Sequence, residues 1–265
     1  MNDLYNELLK SKKYSDIAPA VLQRVCENAS MRYSKPKDAL KAAKTELHII
    51  NESYLTSDCH KKAAALISGY SGSGMATDKE FSLSLMRLHA SSRERIEYIN
   101  EIYSFLSCFV NRNTVLGDIG CGFSPFALPF FDKAPQKYFA YEINGETTGV
   151  LNRYFSAMSK NGYFAETLDA VSVVPEKHFD TVFLFKLLPV LQQQKKGRAF
   201  EVLMELDYSV GVVSFPLKSL SGREKGMNGH YSSFFEDGLP TGFKVMDKQS
   251  IGNELFYIIK KHTAG

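Results

Sequence analysis

The sequence predicts an α/β protein: a doubly wound, mostly parallel seven-stranded sheet that closes in an antiparallel hairpin and is preceded by a helical segment. Three observations carry this. From Thr114 onward short β-rich runs alternate with helical patterns, the signature of strands joined by crossover helices. The last two runs are separated only by a turn at Gly252, too short for a crossover, so they pair antiparallel. Before Thr114 the apolar residues recur three and four apart.

In chain order, the helical periodicity is carried by Leu4, Leu8 and Leu9, by Val21, Leu22 and Val25, and by Leu40, Ala43, Leu47 and Ile50. Pro19, Pro36 and the stretch from Gly69 to Gly74 separate these segments. Strands are expected at Val115 to Ile119, Tyr138 to Ile143, Tyr163 to Leu168, Thr181 to Phe185 and Val210 to Phe215, with helices between them at Glu146 to Ser159 and Leu188 to Leu206. Phe243 to Asp247 and Glu254 to Lys260 form the closing hairpin. The chain therefore divides into a helical domain, 1–106, and a sheet domain, 107–265.

Composition narrows the class. The 265 residues, 44% of them hydrophobic, suffice for one full α/β core and a small appendage. No run approaches the roughly 18 apolar residues of a membrane span, and the N-terminus is polar, so the protein is expected in the cytoplasm. Cys26, Cys59, Cys108 and Cys121 form no CxxC pair and have no histidine at zinc-ligand spacing, which predicts reduced thiols and no metal. The net charge is +3, and residues 1–50, with nine basic against six acidic side chains, hold all of that excess. A basic helical segment on a neutral body suits a polyanionic partner, although a solvated helix surface has the same charge pattern.

The most specific local signal is Asp118-Ile119-Gly120-Cys121-Gly122, directly after an apolar strand. Two glycines there allow a sharp turn and close approach of backbone to a ligand, at the strand edge where doubly wound sheets bind nucleotides. The run resembles the D-x-G-x-G motif of S-adenosylmethionine enzymes. A dinucleotide fingerprint needs a third glycine where Pro125 stands. Glu142 ends the next strand, the place for a carboxylate that accepts both ribose hydroxyls. Asp169 follows the third strand and is positioned to accept from an adenine amino group. Together these resemble a Rossmann-like class I S-adenosylmethionine methyltransferase, a fold that typically ends in an antiparallel hairpin.

Residue content then limits the chemistry. Transfer to an exocyclic amine usually brings an Asp/Asn-Pro-Pro-aromatic motif after the fourth strand, where this chain reads Phe185-Lys186-Leu187-Leu188-Pro189. Transfer to C5 of a pyrimidine needs a cysteine nucleophile after the fourth or fifth strand, and none follows Cys121. A ring nitrogen such as guanine N7 already presents an in-plane lone pair, so it needs no general base.

Several segments together resemble the aminoglycoside-resistance 16S ribosomal RNA methyltransferases: Ser11-Lys12-Lys13-Tyr14, the run from His89 to Arg95, the glycine loop into Pro125, Phe185 to Pro189, the run from Ser214 to Met227, and Ile251 to Leu255. The resemblance implies methyl transfer from S-adenosyl-L-methionine to N7 of a decoding-site guanosine in the assembled small (30S) subunit, by a monomer whose helical N-terminal domain docks on the 16S rRNA. It implies that Arg95 holds the cofactor carboxylate and that Tyr54, His89, Ser91, Asp118, Gly120, Glu142, Asp169, Ala170, Phe185 and Gln194 form the rest of the cofactor site. Lys12, Lys13, Arg24, Lys218, Arg223 and Lys225 are the RNA-binding candidates, and Lys186, Lys218 and Tyr231 the candidates for positioning the target base. Ser124 stands where the family often has Asn, and Glu142 where Asp is usual; both keep hydrogen-bonding capacity. A methyltransferase of another base, such as adenine N1, and a non-catalytic ribosome-binding module remain as alternatives.

Overall fold

A computed structural model describes residues 2–11, 13–50, 58–72, 74–159, 161–217 and 227–261. The sheet has seven strands: β1 (Val115–Ile119), β2 (Lys137–Glu142), β3 (Tyr163–Thr167), β4 (His178–Phe185), β5 (Asp207–Pro216), β6 (Phe243–Ile251) and β7 (Glu254–Lys261). They lie in the order β3-β2-β1-β4-β5-β7-β6. The first five run parallel, and β7 enters antiparallel between β5 and β6. Strand order reverses between β1 and β4, and in open α/β sheets the crevice at that reversal is where ligands bind.

Helices cover both faces. On one lie α4 (Cys59–Ser68), α5 (Lys79–Met86), α7 (Ile99–Leu106) and α8 (Gly145–Ala157), with a short α6 (Ala90–Arg93) linking α5 to α7. Ile67, Leu85, Ile102 and Tyr154 from these helices share a core with Leu116, Phe126 and Phe183. On the other face α9 (Leu187–Gln194), α10 (Arg198–Glu205) and α11 (Met227–Gly238) pack through Leu191, Val202 and Phe235 onto Val182, Val213 and Tyr257. Burying large side chains such as these contributes about 1.5–3 kcal/mol each, which fixes the sheet as the rigid platform of the molecule.

The helical first hundred residues divide between two cores. The helices from α4 to α7 pack on the sheet. Ahead of them, α1 (Asn2–Leu9), α2 (Pro19–Arg32) and α3 (Pro36–Ile50) enclose a separate cluster of Leu8, Val21, Leu22, Val25, Ala43 and Leu47. The spacing of those residues is the helical periodicity of the sequence, and Pro19 and Pro36 each open a helix, where the missing N–H costs nothing.

One element differs from expectation. The single helix expected over 188–206 is two, α9 and α10. Lys195 turns extended, and the Gly197 N–H goes to the Gln192 side chain (2.8 Å) instead of continuing the helical ladder. The break turns α10 so that Arg198 Nε reaches the Ala170 carbonyl (2.9 Å) beneath the loop after β3.

Candidate functional site

At the carboxyl ends of β1, β2 and β4 the turns leave a cavity of about 830 Å³ including its open mouth. The glycine turn forms its floor. Gly120 and Gly122 take φ of +66° and +50°, the left-handed region that favours glycine. A Cβ at Gly120 would sit 2.8 Å from Leu187 and one at Gly122 2.9 Å from the His89 ring, so the turn has no room for a side chain. The Gly120 and Cys121 N–H groups both donate to the Tyr141 carbonyl, at 2.8 and 3.1 Å, which clamps the turn to β2.

Glu142 faces the cavity. Its Oε2 accepts from the Gly122 N–H at 2.9 Å and its Oε1 from the Ile143 N–H at 2.8 Å. Burial pushes this carboxyl up, and the backbone N–H donors pull it back. Each oxygen has two lone pairs, so the pair retains acceptor capacity for a vicinal diol. On the far wall Asp169 lies beside Ala170; its Oδ1 accepts from the Val171 N–H (3.0 Å) and its Oδ2 from Ser172 Oγ (2.8 Å). Leu168, Phe185, Leu187 and Leu191 supply apolar surface. Gln194 closes this end; its Oε1 is buried with no hydrogen-bond partner among the described residues.

Behind Phe185 and Lys186 at the opposite end lies an ionic cluster. Lys186, itself left-handed at φ 54°, points its ammonium at Glu94 Oε2 (2.8 Å) and lies 3.8 Å from Glu254. Arg95 is 3% exposed and binds Glu254 twice, through Nε at 2.8 Å and Nη2 at 2.6 Å, while Nη1 donates to Ser124 Oγ at 2.8 Å. Ser214 Oγ also donates to Glu254. Arg95 and Lys186 overcome burial and hold the Glu254 carboxyl below its ordinary value. His89 stacks on Phe123 (5.2 Å); burial, with the charges of Arg95 and Lys186, pushes it down to about 3, so its ring is neutral.

Of the expected site residues, His89, Ser91, Gly120, Glu142, Asp169, Ala170, Phe185, Lys186 and Gln194 meet around this one cavity. Asp118, Arg95, Arg24 and Tyr231 stand outside its lining. Asp118 is 0% exposed inside the sheet, where it accepts from the Tyr138 hydroxyl at 2.6 Å. Arg95 lies behind Phe185, whose ring covers the guanidinium at 4.6 Å, and the carboxylate it holds is that of Glu254. Arg24, expected on phosphate, instead reaches Asp169 (3.1 Å) with only 18% of its side chain exposed. A helix cation reads as a surface charge until the fold places a buried carboxylate beside it. Tyr231, expected at the target base, stacks on Phe215 at 5.4 Å next to β5. Lys12, Tyr54, Lys218, Arg223 and Lys225 lie outside the described residues.

The sequence did not single out Glu254, Glu94 or Thr147 as site residues, nor a basic surface on α3. There Lys37, Lys41, Lys44 and His48 follow helical spacing along one exposed stripe, and Lys13 and Tyr14 complete a shallow groove with them. The spacing was readable in the sequence; the partners of the buried acids, far away along the chain, were not.

The model of one protein family, ribosomal RNA methyltransferase (FmrO), matches residues 10–258. A 16S rRNA (guanine(1405)-N(7))-methyltransferase of Serratia marcescens is 35% identical over 263 residues, 99% of each chain. One of the same description from Frankia casuarinae is 32% identical over 95% of this chain and 90% of its own. Among solved structures, the 16S rRNA methyltransferase RmtF in complex with S-adenosyl-L-homocysteine superposes with TM-score 0.89 at 33% identity, covering 98% of this chain and 97% of that one. The 16S rRNA methylase RmtB gives 0.83 at 30% identity, covering 98% of each chain. With the family model matched over residues 10–258, the chain belongs to the FmrO family of ribosomal RNA methyltransferases.

Proposed function

We infer that this chain is a 16S rRNA (guanine(1405)-N(7))-methyltransferase that uses S-adenosyl-L-methionine and acts on the assembled small subunit, giving resistance to aminoglycosides. The observation that carries the reading is the cavity over Gly120–Gly122, with Glu142 at one wall and Asp169 at the other. Its residues fit the cofactor: the glycine turn admits no Cβ, Glu142 keeps acceptor capacity for two ribose hydroxyls, and the buried Gln194 Oε1 awaits a donor.

The cofactor supplies a methyl group on a sulfonium, and the protein supplies position. Glu142 and the glycine turn would hold the ribose side, Leu168, Ala170 and Leu191 would enclose the base, and Phe185 and Lys186, which also line the cavity, would border the approach of a guanine. Guanine N7 brings its own lone pair, so the site needs no proton acceptor, and alignment can supply on the order of 7–11 kcal/mol of the barrier. Neutral His89 and the paired Lys186 keep the mouth from adding uncompensated positive charge beside a base that becomes cationic.

Docking falls to the helical domain ahead of residue 107. The exposed α3 stripe of Lys37, Lys41 and Lys44, with Lys13, suits a phosphate backbone, since lysine binds phosphate as a mobile point charge. The test is transfer of labelled methyl from S-adenosylmethionine to purified small subunits, with naked 16S rRNA and large subunits as controls, followed by cleavage at N7-methylguanine. Label at one guanine of intact small subunits alone is expected. Label on another base overturns the substrate, and cofactor binding without transfer overturns the activity.

A further inference from the structure

Arg24 sits on α2, in the small helical core, yet its guanidinium reaches across to the cofactor wall. Nη2 lies 3.2 and 3.1 Å from the two Asp169 oxygens and Nε 3.4 Å from Oδ2. Its third nitrogen, Nη1, is buried without a hydrogen-bond partner among the described residues. A guanidinium this enclosed and already on a carboxylate is poorly placed to take phosphate. The contact is one of several between α1–α3 and the two loops that border the cavity. The Ala18 N–H donates to the Ile143 carbonyl (2.8 Å), the Gly145 N–H donates to the Asp16 carbonyl (2.5 Å), and Ile50 forms part of the cavity wall itself. Arg198, on α10, donates to the neighbouring Ala170 carbonyl at 2.9 Å. Two arginines thus hold the loop after β3, and of these only Arg24 comes from the N-terminal helices.

We propose that Arg24 is a positioning residue of the cofactor site: acting through Asp169, it fixes the adenine-side wall, so that the N-terminal helices complete the cofactor pocket as well as meeting the ribosome. This rests on the cofactor reading above. A carboxylate with its oxygens pinned by Arg24, Ser172 and the Val171 N–H offers one fixed edge to the cavity, and a ligand then binds without first ordering that wall.

The experiment uses the full chain and S-adenosyl-L-homocysteine, titrated calorimetrically. Arg24→Ala is expected to weaken binding about ten-fold, the scale of one lost charged hydrogen-bond pair, and Arg24→Lys to recover part of it. Because Arg24 acts through Asp169, the Arg24→Ala/Asp169→Ala double variant should bind no worse than Asp169→Ala alone, whereas independent structural damage would add. In methyl-transfer assays KM for the cofactor should rise while kcat and the small-subunit KM hold. If Arg24→Ala does not fold, as judged by circular dichroism, Arg24→Lys and Asp169→Asn decide by the same measures. Unchanged ligand affinity, or weakened subunit binding with a shallower salt dependence, overturns the proposal and returns Arg24 to the phosphate contacts. Absence of binding by the wild-type chain overturns the cofactor reading itself, and the proposal with it, an outcome distinct from wild type and variant binding alike.

Discussion

Asp118 gives the sharpest test of the electrostatics. It is completely buried, and burial raises its carboxyl from an ordinary 3.8 to about 7; the Tyr138 hydroxyl and Arg95 lower it, and Glu142 raises it further. In the unfolded chain the group ionises near 3.8, so between that value and about 7 the folded state binds the extra proton. Its favourable contribution is therefore complete below the unfolded value and is lost as pH rises through the folded one. Asp118→Asn removes the titration and keeps an acceptor for the Tyr138 hydroxyl. Any cost of the new amide is independent of pH, so the quantity to read is the slope. Relative to wild type, the variant should gain roughly 3 kcal/mol between about pH 5 and about pH 8, at 1.36 kcal/mol per unit up to the folded value. For a chain of this size that is about 6–12 °C in the relative melting temperature. Calorimetric melts of both proteins over that range measure it. A difference in stability that stays flat with pH would refute the reasoning, because it would mean that Asp118 is ionised throughout.

Three further outcomes follow from the same geometry. Glu254→Gln strips the counter-charge from buried Arg95 and should destabilise by about 3–5 kcal/mol, roughly 6–20 °C in melting temperature. Because the folded carboxyl is held below its ordinary 4.5, this contribution is present at neutral pH and disappears as pH falls through the folded value, so wild type and variant should converge in acid. Gly122→Ala forces a side chain to φ +50° against His89, at about 1–2 kcal/mol for the backbone alone, and should lower S-adenosylhomocysteine affinity at least about ten-fold by calorimetry. Replacing Lys37, Lys41 and Lys44 by alanine should leave that affinity unchanged while weakening small-subunit binding, with the salt slope falling by about 1 for each lysine that meets a phosphate.

How much of this was legible in the sequence depends on the range of the interaction. The placement of the glycine turn and of Glu142 was readable because both lie at the ends of apolar strands, where local backbone requirements decide the geometry. The strands themselves showed as alternation between two periods. Arg95 and Glu254 are 159 residues apart, and Arg24 and Asp169 are 145 apart. Acids stand near both arginines in the sequence, Glu94 and Glu97 by Arg95 and Glu27 by Arg24, but none of them is the carboxylate that Arg95 or Arg24 meets in the fold. Glu254 opens an apolar strand and reads as an edge residue until the hairpin inserts β7 beside β5, which brings it under Arg95. Arg24 stands between Leu22 and Val25 on the margin of the buried face of α2, and only the docking of that helix on the loop after β3 decides whether it meets water or a carboxylate. The break between α9 and α10 was marked by Lys195-Lys196-Gly197, a helix-stop signal that the apolar periodicity on either side outweighed.

The ionisable groups around the cavity share one property that bears on mechanism. His89 is neutral and stacked, Glu142 is held by backbone N–H groups, Asp169 by Arg24, and Lys186 by Glu94. Each is tied to a contact that fixes its orientation, and where the partner is itself a carboxylate, as Glu94 is for Lys186, the two form an ion pair. An enzyme that must deprotonate its substrate arranges an acid and a base with opposed shifts. Here, among the described residues, charge is used to build walls. That arrangement suits a nucleophile that arrives with its lone pair free, and it locates the demand on the protein in geometry. Substitutions that loosen a wall without touching the reactants, Arg24 first among them, should then change how well the cofactor is held before they change how fast the methyl group moves.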